Sequence, residues 1–269
     1  MAKIKFAGGP PVEPGTIALN SIYARSLGIP FVKESPAHGR TLAIVGGGPS
    51  VAGVVEELRA FDGEIWAING ACSFLRERGI ESTFISVDPH EIVLKWAQGA
   101  RRAMLCTRVA PAVFALLKDV DVRIFDIAHD VPDGVHCCSS TASLGFDLAT
   151  DLGYRTVIWY GCEGSWAGST AENANNAQDF THDYLEPSEK RDERMVVLCG
   201  GVEYLTAPDF YVQSCELAEV IRKFPRHFSE RSGGLLRALV ATPEHDIIRV
   251  SRALMAILRP ASKEEMEAA

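Results

Sequence analysis

The sequence lacks any apolar run long enough to cross a membrane. Of its 269 residues, 47% are hydrophobic. The longest apolar runs, at 156–160 and 195–199, nevertheless have the length of a strand, against the ~20 residues of a spanning helix. The amino terminus carries positive charge but breaks at a Gly-Gly-Pro-Pro run at 8–11, where a signal peptide needs a continuous apolar segment. We therefore expect a cytoplasmic protein with no membrane partner.

Two further absences argue against a nucleic-acid partner and against a zinc site. Positive charge is not in excess, because 27 Lys and Arg stand against 35 Asp and Glu, for a net charge of -8. A dedicated binder of duplex DNA or RNA needs the opposite balance. The seven cysteines are scattered and no Cys-x-x-Cys pair occurs, so a zinc site is not expected.

From residue 41 onwards, apolar runs of strand length alternate with helical patterns. The first run, at 42–45, is continuously apolar, as in parallel strands that are buried on both faces. The predicted strands are 42–45, 64–68, 83–87, 103–106, 122–125, 156–160 and 195–199, and the predicted helices are 51–61, 74–78, 91–98, 111–117 and 140–152. Such alternation implies right-handed crossovers. We therefore predict an α/β fold with a Rossmann-like, doubly wound, mostly parallel sheet and helices on both faces.

The nucleotide-binding core predicted at 41–210 is flanked by two less regular regions. Residues 1–40 are rich in Gly and Pro, and we interpret them as an N-terminal arm with one short helix at 18–26. Within the core, the polar stretch 165–194 is interpreted as a loop or lid. Residues 211–269 are predicted to be C-terminal helices packed on the core, at 211–223, 233–240 and 246–258. Their apolar faces could also serve a homo-oligomer.

A glycine-rich loop joins the first predicted strand to its helix. It consists of Gly46, Gly47, Gly48, Pro49 and Ser50. Glycines let backbone N–H groups approach an anion closely, and the helix N-terminus adds partial positive charge. No Lys follows as in a Walker A loop, and Val51 stands where a dinucleotide fingerprint needs Gly. The loop predicts a phosphate site, and the alternative is a tight turn whose glycines serve packing only.

Further polar residues follow other predicted strands or open the helix before one. Because the carboxyl ends of parallel strands share one edge of a sheet, these residues should line one crevice. They are Asn69, Asp88, Glu163, Ser139, Ser140 and Thr141. Simpler interpretations exist, with Asn69 as a turn residue and Glu163 as a solvated loop acid. Asp88 and Ser140 can cap helices, and we interpret His90 as structural and not as a base.

Five short motifs occur in order along the core. They are Gly46-Gly47-Gly48-Pro49-Ser50, Ala67-Ile68-Asn69, Ser86-Val87-Asp88-Pro89, Ser139-Ser140-Thr141-Ala142 and Gly161-Cys162-Glu163. This ordered set resembles the 6-hydroxymethylpterin diphosphokinase MptE-like family, whose relatives are the Maf motility accessory factor glycosyltransferases and, more distantly, bacterial sialyltransferases. The resemblance covers roughly residues 42–163. It departs from the family pattern at Glu163, where the family has Asp.

The resemblance implies a transferase that uses an activated phosphate compound. A diphosphokinase would pass a pyrophosphoryl group from ATP to a hydroxymethyl-type acceptor, with the loop 46–50 on the donor phosphates and with Asp88 and Glu163 on Mg²⁺. Asn69 and the motif at 139–141 would help to hold the nucleotide. A glycosyltransferase that uses a nucleotide-activated sugar is the first alternative, with Asp88 or Glu163 as general base. A nucleotide-binding protein without turnover is the second.

Overall fold

The fold is built around one seven-stranded sheet. A computed structural model describes residues 12–128, 130–131, 134–135, 140–165 and 195–250. The strands of this sheet are β1 His38–Val45, β2 Gly63–Ile68, β3 Thr83–Ser86, β4 Arg102–Cys106, β5 Asp121–Phe125, β6 Tyr154–Tyr160 and β9 Phe228–Glu230. Their order is β5-β4-β3-β2-β1-β6-β9, and every neighbouring pair is parallel.

The predicted α/β fold is confirmed. The second half of β1 is fully buried, from Leu42 to Val45, because the sheet is covered on both faces, as the continuous apolar run predicts. The chain runs outward from β1 through β5 and then crosses to β6 on the other side of β1. Since such crossovers are right-handed, this reversal of direction places helices on both faces of the sheet.

Short helices connect the strands, at α2 Val55–Arg59, α3 Ala71–Glu77, α4 Val93–Ala97, α5 Pro111–Leu116 and α6 Asp147–Asp151. Two of the predicted helices are divided. The helix predicted at 51–61 begins as a 3₁₀ helix, Pro49–Val54, and the one predicted at 140–152 begins as another, Thr141–Gly145. The first of these starts without a side-chain cap, because the residue at its N-cap is Gly48.

The N-terminal region lies against the edge of the sheet formed by β4 and β5. Its helix, α1 Pro14–Ser26, confirms and extends the one predicted at 18–26. The side-chain amide of Asn20 donates to the carbonyl of Arg108 at 2.9 Å, and the amide of Val32 donates to the carbonyl of Ile124 at 2.8 Å. The chain then runs from this edge to the interior of the sheet, where it enters β1.

A second, antiparallel sheet follows β6 in the chain. It consists of β7 Met195–Cys199, β8 Val202–Thr206 and β10 His245–Val250, in the order β10-β7-β8. The prediction of a helix at 246–258 is wrong over 246–250, because this stretch belongs to a strand that pairs with β7. In that pairing His245 lies opposite Cys199. The remainder of that predicted helix lies outside the described residues. Neither β8 nor β9 was predicted.

The other two predicted C-terminal helices are confirmed, as α7 Pro208–Lys223 and α8 Gly234–Ala241. Both bury apolar side chains in the same core as β1, among them Leu217 and Leu235. Among the described residues, no helix has the length and the apolar character that a bilayer span needs.

Candidate functional site

The carboxyl ends of β1 and β6 lie side by side at the point where the strand order reverses. Val45 is opposite Tyr160 in the parallel register of this pair. In open α/β sheets, ligands bind in the crevice outside the strand ends at such a switch point. The fold therefore brings the glycine loop after β1 next to the segment Gly161-Cys162-Glu163 after β6.

The two loops touch through their backbones. The amide of Gly46 donates to the carbonyl of Tyr160, and that of Gly48 donates to the carbonyl of Gly161, both at 2.8 Å. A Cβ atom on Gly46 would lie 2.5 Å from the oxygen of Gly161, which no side chain tolerates. Gly161 has a φ of 63°, so its left-handed backbone also favours glycine. The glycines at the switch point are therefore required for this close approach.

Glu163 places its carboxylate against the glycine loop. Its Oε1 accepts a hydrogen bond from the amide of Ser50 at 2.7 Å, and a Cβ atom on Gly48 would lie 1.4 Å from its Oε2. Glu163 is only 6% exposed, so it is not a solvated loop acid. Its negative charge takes the position beside the first amides of the 3₁₀ helix, where an anion is favoured.

The loop after β6 is held in turn by the loop after β9. The hydroxyl of Ser232 accepts from the amide of Cys162 at 2.9 Å, and the carboxylate of Glu230 accepts from the amide of Ser232 at 2.8 Å. Sequence reasoning missed both residues, because β9 is only three residues long and carries no strand pattern. Burial, and then the charge of Glu163, raise the pKa of the Cys162 thiol, so this cysteine stays protonated and is not a nucleophile.

Asn69 follows β2, the neighbour of β1, and has an unusual backbone. Its φ is 47°, which makes it the one non-glycine residue with positive φ in the described part of the chain. The side chain is buried, with 8% of the residue exposed. Its Oδ1 has no hydrogen-bond partner among the described residues. The hydroxyl of Ser50, on the adjacent loop, is buried in the same unpartnered state.

Asp88 follows β3 and forms a pair with His90. The Oδ1 of Asp88 accepts from the amide of His90 at 2.9 Å and lies 2.6 Å from its ring Nδ1. The amide of Asp88 donates to the hydroxyl of Ser86 at 3.2 Å, which fixes the turn. The side chains of His90 and Asp88 are 33% and 18% exposed. The pair is therefore held in place at the strand end and remains accessible in part.

The predicted motif Ser139-Ser140-Thr141 lies over the sheet, and the structure describes it from Ser140 onwards. The carbonyl of Ser140 accepts from the amide and the hydroxyl of Ser143, at 3.1 and 2.6 Å, and its side chain does not cap the helix that follows. Thr141 is buried. The turn packs on β6, because the indole of Trp159 donates to the carbonyl of Ala142 at 3.0 Å. Ser139 and nearly all of the predicted lid at 165–194 lie outside the described residues.

The two predicted Mg²⁺ ligands are separated by the strand order. Asp88 follows β3 and Glu163 follows β6, with β2 and β1 between them, so their strand ends are roughly 14 Å apart. One Mg²⁺ needs both carboxylates within about 2 Å of itself. The described residues hold no group of three or more His, Cys, Asp or Glu placed to bind a metal ion. This donor set does not fit a single shared ion, and the Mg²⁺ dependence stays a prediction.

No family model matches the sequence, and no curated protein matches it. The fold is similar to a solved structure, that of a Maf glycosyltransferase from Magnetospirillum magneticum AMB-1, with a TM-score of 0.56 and 17% identity. The similarity covers 90% of this chain but only 40% of that one. At this identity it shows a shared fold, which confirms the predicted likeness to Maf proteins at the level of fold. It gives no support to the diphosphokinase.

Proposed function

We propose that this chain is a nucleotide-dependent transferase of the glycosyltransferase type. Its donor, a nucleotide-activated sugar, would bind at the carboxyl edge of the sheet, over the ends of β1, β2 and β3. The fold shared with the Maf glycosyltransferase supports the class of enzyme. Because the chain spans only 40% of that protein's length, its donor and acceptor have to be identified by experiment.

The observation that carries the proposal is the state of Asn69. A left-handed backbone costs roughly 1 kcal/mol for a residue that has a Cβ atom, and turn chemistry alone can account for an asparagine there. Turn chemistry does not account for a buried Oδ1 without a hydrogen-bond partner, which costs about 1–3 kcal/mol. A hydroxyl or amino group of the nucleotide would supply the missing donor. Because the oxygen is enclosed, we expect the adjoining loops to part when the donor binds.

In this proposal Glu163 shapes the loop and does not carry out chemistry. Its carboxylate already accepts the amide of Ser50, and its burial keeps an acceptor substrate from its oxygens. The donor phosphates would therefore contact the glycine loop from the side of the Ser50 hydroxyl. This loop follows β1, and Asn69 follows the neighbouring strand β2. The loop remains the predicted phosphate site, although one of its amides, that of Ser50, already donates to the carboxylate of Glu163.

Asp88 has a positioning role in the same proposal. Because its Oδ1 lies 2.6 Å from the Nδ1 of His90, it fixes the orientation of the imidazole ring, as a carboxylate does in many histidine-containing active sites. His90 would then hydrogen-bond the hydroxyl of the acceptor. The base function that the sequence assigned to Asp88 or Glu163 would pass to the Asp88–His90 pair.

A ligand panel followed by product analysis tests the proposal. The thermal midpoint would be measured with UDP-, GDP- and CMP-sugars and with ATP, each with and without Mg²⁺. We expect a nucleotide sugar to raise the midpoint and to release a nucleoside mono- or diphosphate on incubation. Release of AMP from ATP would establish the diphosphokinase instead. Stabilisation without any product would establish a nucleotide-binding protein, and no response to any nucleotide would contradict the proposal.

A further inference from the structure

The amino edge of the sheet, opposite the candidate site, carries an exposed basic segment. It consists of the last residue of α7 and the turn that leads to β9, with the sequence Lys223-Phe224-Pro225-Arg226-His227, and all five residues are exposed. We call it the basic turn. Its shape is fixed by the carbonyl of Phe224, which accepts from the amides of His227 and Phe228, both at 3.0 Å.

The cations of the basic turn form no ion pair with the described residues around them. Arg155, at the start of β6, is also exposed. It lies beside the basic turn, because its carbonyl is 2.9 Å from the Nδ1 of His227. Within the described part of the chain, Arg155, Lys223 and Arg226 take part in no ion pair. The nearest acid in sequence, Glu230, is turned inward and accepts from Arg237 and from two backbone amides.

This local excess of positive charge stands out because the whole chain has a net charge of -8. At physiological ionic strength, charges more than about 8 Å away are largely screened. The exposed Glu219 lies one helical turn before Lys223 in α7, so the cations at the tip of the turn, led by Arg226, are what an approaching surface meets first. Charge complementarity requires that surface to be anionic.

The basic turn also exposes an aromatic side chain between its cations. Phe224 is 43% exposed, with the ammonium of Lys223 over its ring at 5.3 Å, and its ring packs edge-on against Phe228. Pro225 ends the helical path, so the ring projects at a bend and not from a helix face. Cations that flank an exposed aromatic ring are suited to the interface of a lipid bilayer, where the ring enters the headgroup region.

We propose that the basic turn docks this protein on an anionic lipid surface. The turn is too short to follow the backbone of a nucleic acid, and a protein partner would gain little from a single projecting ring. This proposal departs from the expectation of no membrane partner, which rested on the lack of a spanning segment, because surface docking needs none. The strands of the sheet run away from the turn, so the candidate site would face the solvent, roughly 20 Å from the lipid.

Vesicle co-sedimentation tests the proposal without any substrate. The full chain would be mixed with vesicles of phosphatidylcholine alone, and with vesicles of equal parts phosphatidylserine and phosphatidylcholine. We expect binding to the anionic vesicles only, and release as salt is raised. Because each cation near such a surface contributes about fivefold, the double variant K223Q/R226Q should bind about thirtyfold more weakly. Phe224→Ala should bind about tenfold more weakly.

Phe31→Ala provides the matched control. Phe31 is 37% exposed and also has a cation over its ring, the guanidinium of Arg25 at 5.3 Å, but that cation is paired with Asp126. This variant should bind vesicles like the wild type. Equal binding to both kinds of vesicle, or unchanged binding of K223Q/R226Q, would overturn the proposal. Stronger binding to single-stranded RNA than to vesicles, lost in the same variant, would overturn it in favour of nucleic acid.

Discussion

At the scale of single residues, the contact between Gly48 and Glu163 gives a sharp test of the loop geometry. Gly48 has ordinary extended dihedrals, φ -75° and ψ 158°, so alanine would meet no backbone penalty there. Its Cβ atom would instead meet the Glu163 carboxylate at 1.4 Å and the oxygen of Gly161 at 2.8 Å. Gly48→Ala should therefore destabilise the protein by about 2 kcal/mol, measured by urea denaturation.

Gly53 provides the matched control, because it lies in the 3₁₀ helix that Gly48 precedes and nothing lies within 4 Å of an added Cβ atom. Gly53→Ala should raise stability slightly, by about 0.5 kcal/mol, since it restricts the unfolded chain without a clash. If both variants are equally stable, the carboxylate of Glu163 does not pack on the loop.

Asn69 allows its two roles, turn and ligand contact, to be separated by two substitutions. Asn69→Gly removes the cost of the positive φ and also removes the amide, so its stability should stay within about 1 kcal/mol of wild type. Asn69→Ala keeps the strained backbone and loses the local support of the amide, and should be about 1–2 kcal/mol less stable. Neither variant should show the nucleotide-induced rise in thermal midpoint. A full rise in Asn69→Gly would remove this residue from the ligand site.

Asp88 is tested by turnover, once a donor is known. Asp88→Ala should keep the fold, judged by far-UV circular dichroism, and lose at least about a hundredfold in turnover. Asp88→Asn should retain more, because its Oδ1 can still accept from the amide and ring of His90. Asp62→Ala, an exposed acid at the opposite edge of the sheet, should have no effect. Wild-type turnover in Asp88→Ala would exclude Asp88 from the chemistry.

At the scale of elements, helix α6 carries an aspartate at each end, Asp147 and Asp151. Burial, then the charges of Asp147 and Glu34, raise the pKa of Asp151. A raised carboxyl pKa means that the charged form is less favourable in the folded state than in the unfolded one. The penalty is therefore present at neutral pH and disappears as the pH falls below the ordinary pKa of the unfolded carboxyl group.

Asp151→Asn should consequently stabilise the protein at pH 7, by about 0.3 kcal/mol for this largely exposed position at a helix C-terminus, and not at pH 3. Asp147→Asn should gain less than Asp151→Asn at pH 7, because losing a favourable negative charge from the first turn opposes the relief of its repulsion with Asp151. Denaturant midpoints at the two pH values measure both effects. A gain for Asp151→Asn that is equal at pH 3 and pH 7 would show that charge is not its cause.

Elements with a strong local pattern were predictable from the sequence, and elements decided by distant partners were not. Continuous apolar runs identified β1 to β6, so the positions of Asn69 and Asp88 at strand ends followed. The stretch 246–250, Asp-Ile-Ile-Arg-Val, is too short for its apolar residues to separate strand from helix, and its pairing with β7 decided the outcome. The bond from Ser50 to Glu163 spans 113 residues of sequence, and no local signal could reveal it.

At the scale of the whole molecule, the two sheets share one hydrophobic core. The inward side chains of β7, such as Val197, belong to the same buried cluster as those of β1 and β6 and of helices α7 and α8. Among the described residues, the buried pair Val196 and Leu205 forms a separate small cluster. A shared core predicts that the small sheet does not unfold by itself, so that denaturation is a single cooperative transition.

Val197→Ala and Val202→Ala test this coupling with the same chemical change in the same small sheet. Val197 is fully buried and Val202 is 39% exposed. The buried tryptophans Trp66 and Trp159 lie in the large sheet, so fluorescence reports on the other end of the core. Val197→Ala should lower the urea midpoint seen by fluorescence, with a loss of about 2 kcal/mol and no change in slope, while Val202→Ala should leave it unchanged. If the fluorescence midpoint of Val197→Ala stays at the wild-type value while circular dichroism shows an earlier step, the small sheet unfolds independently.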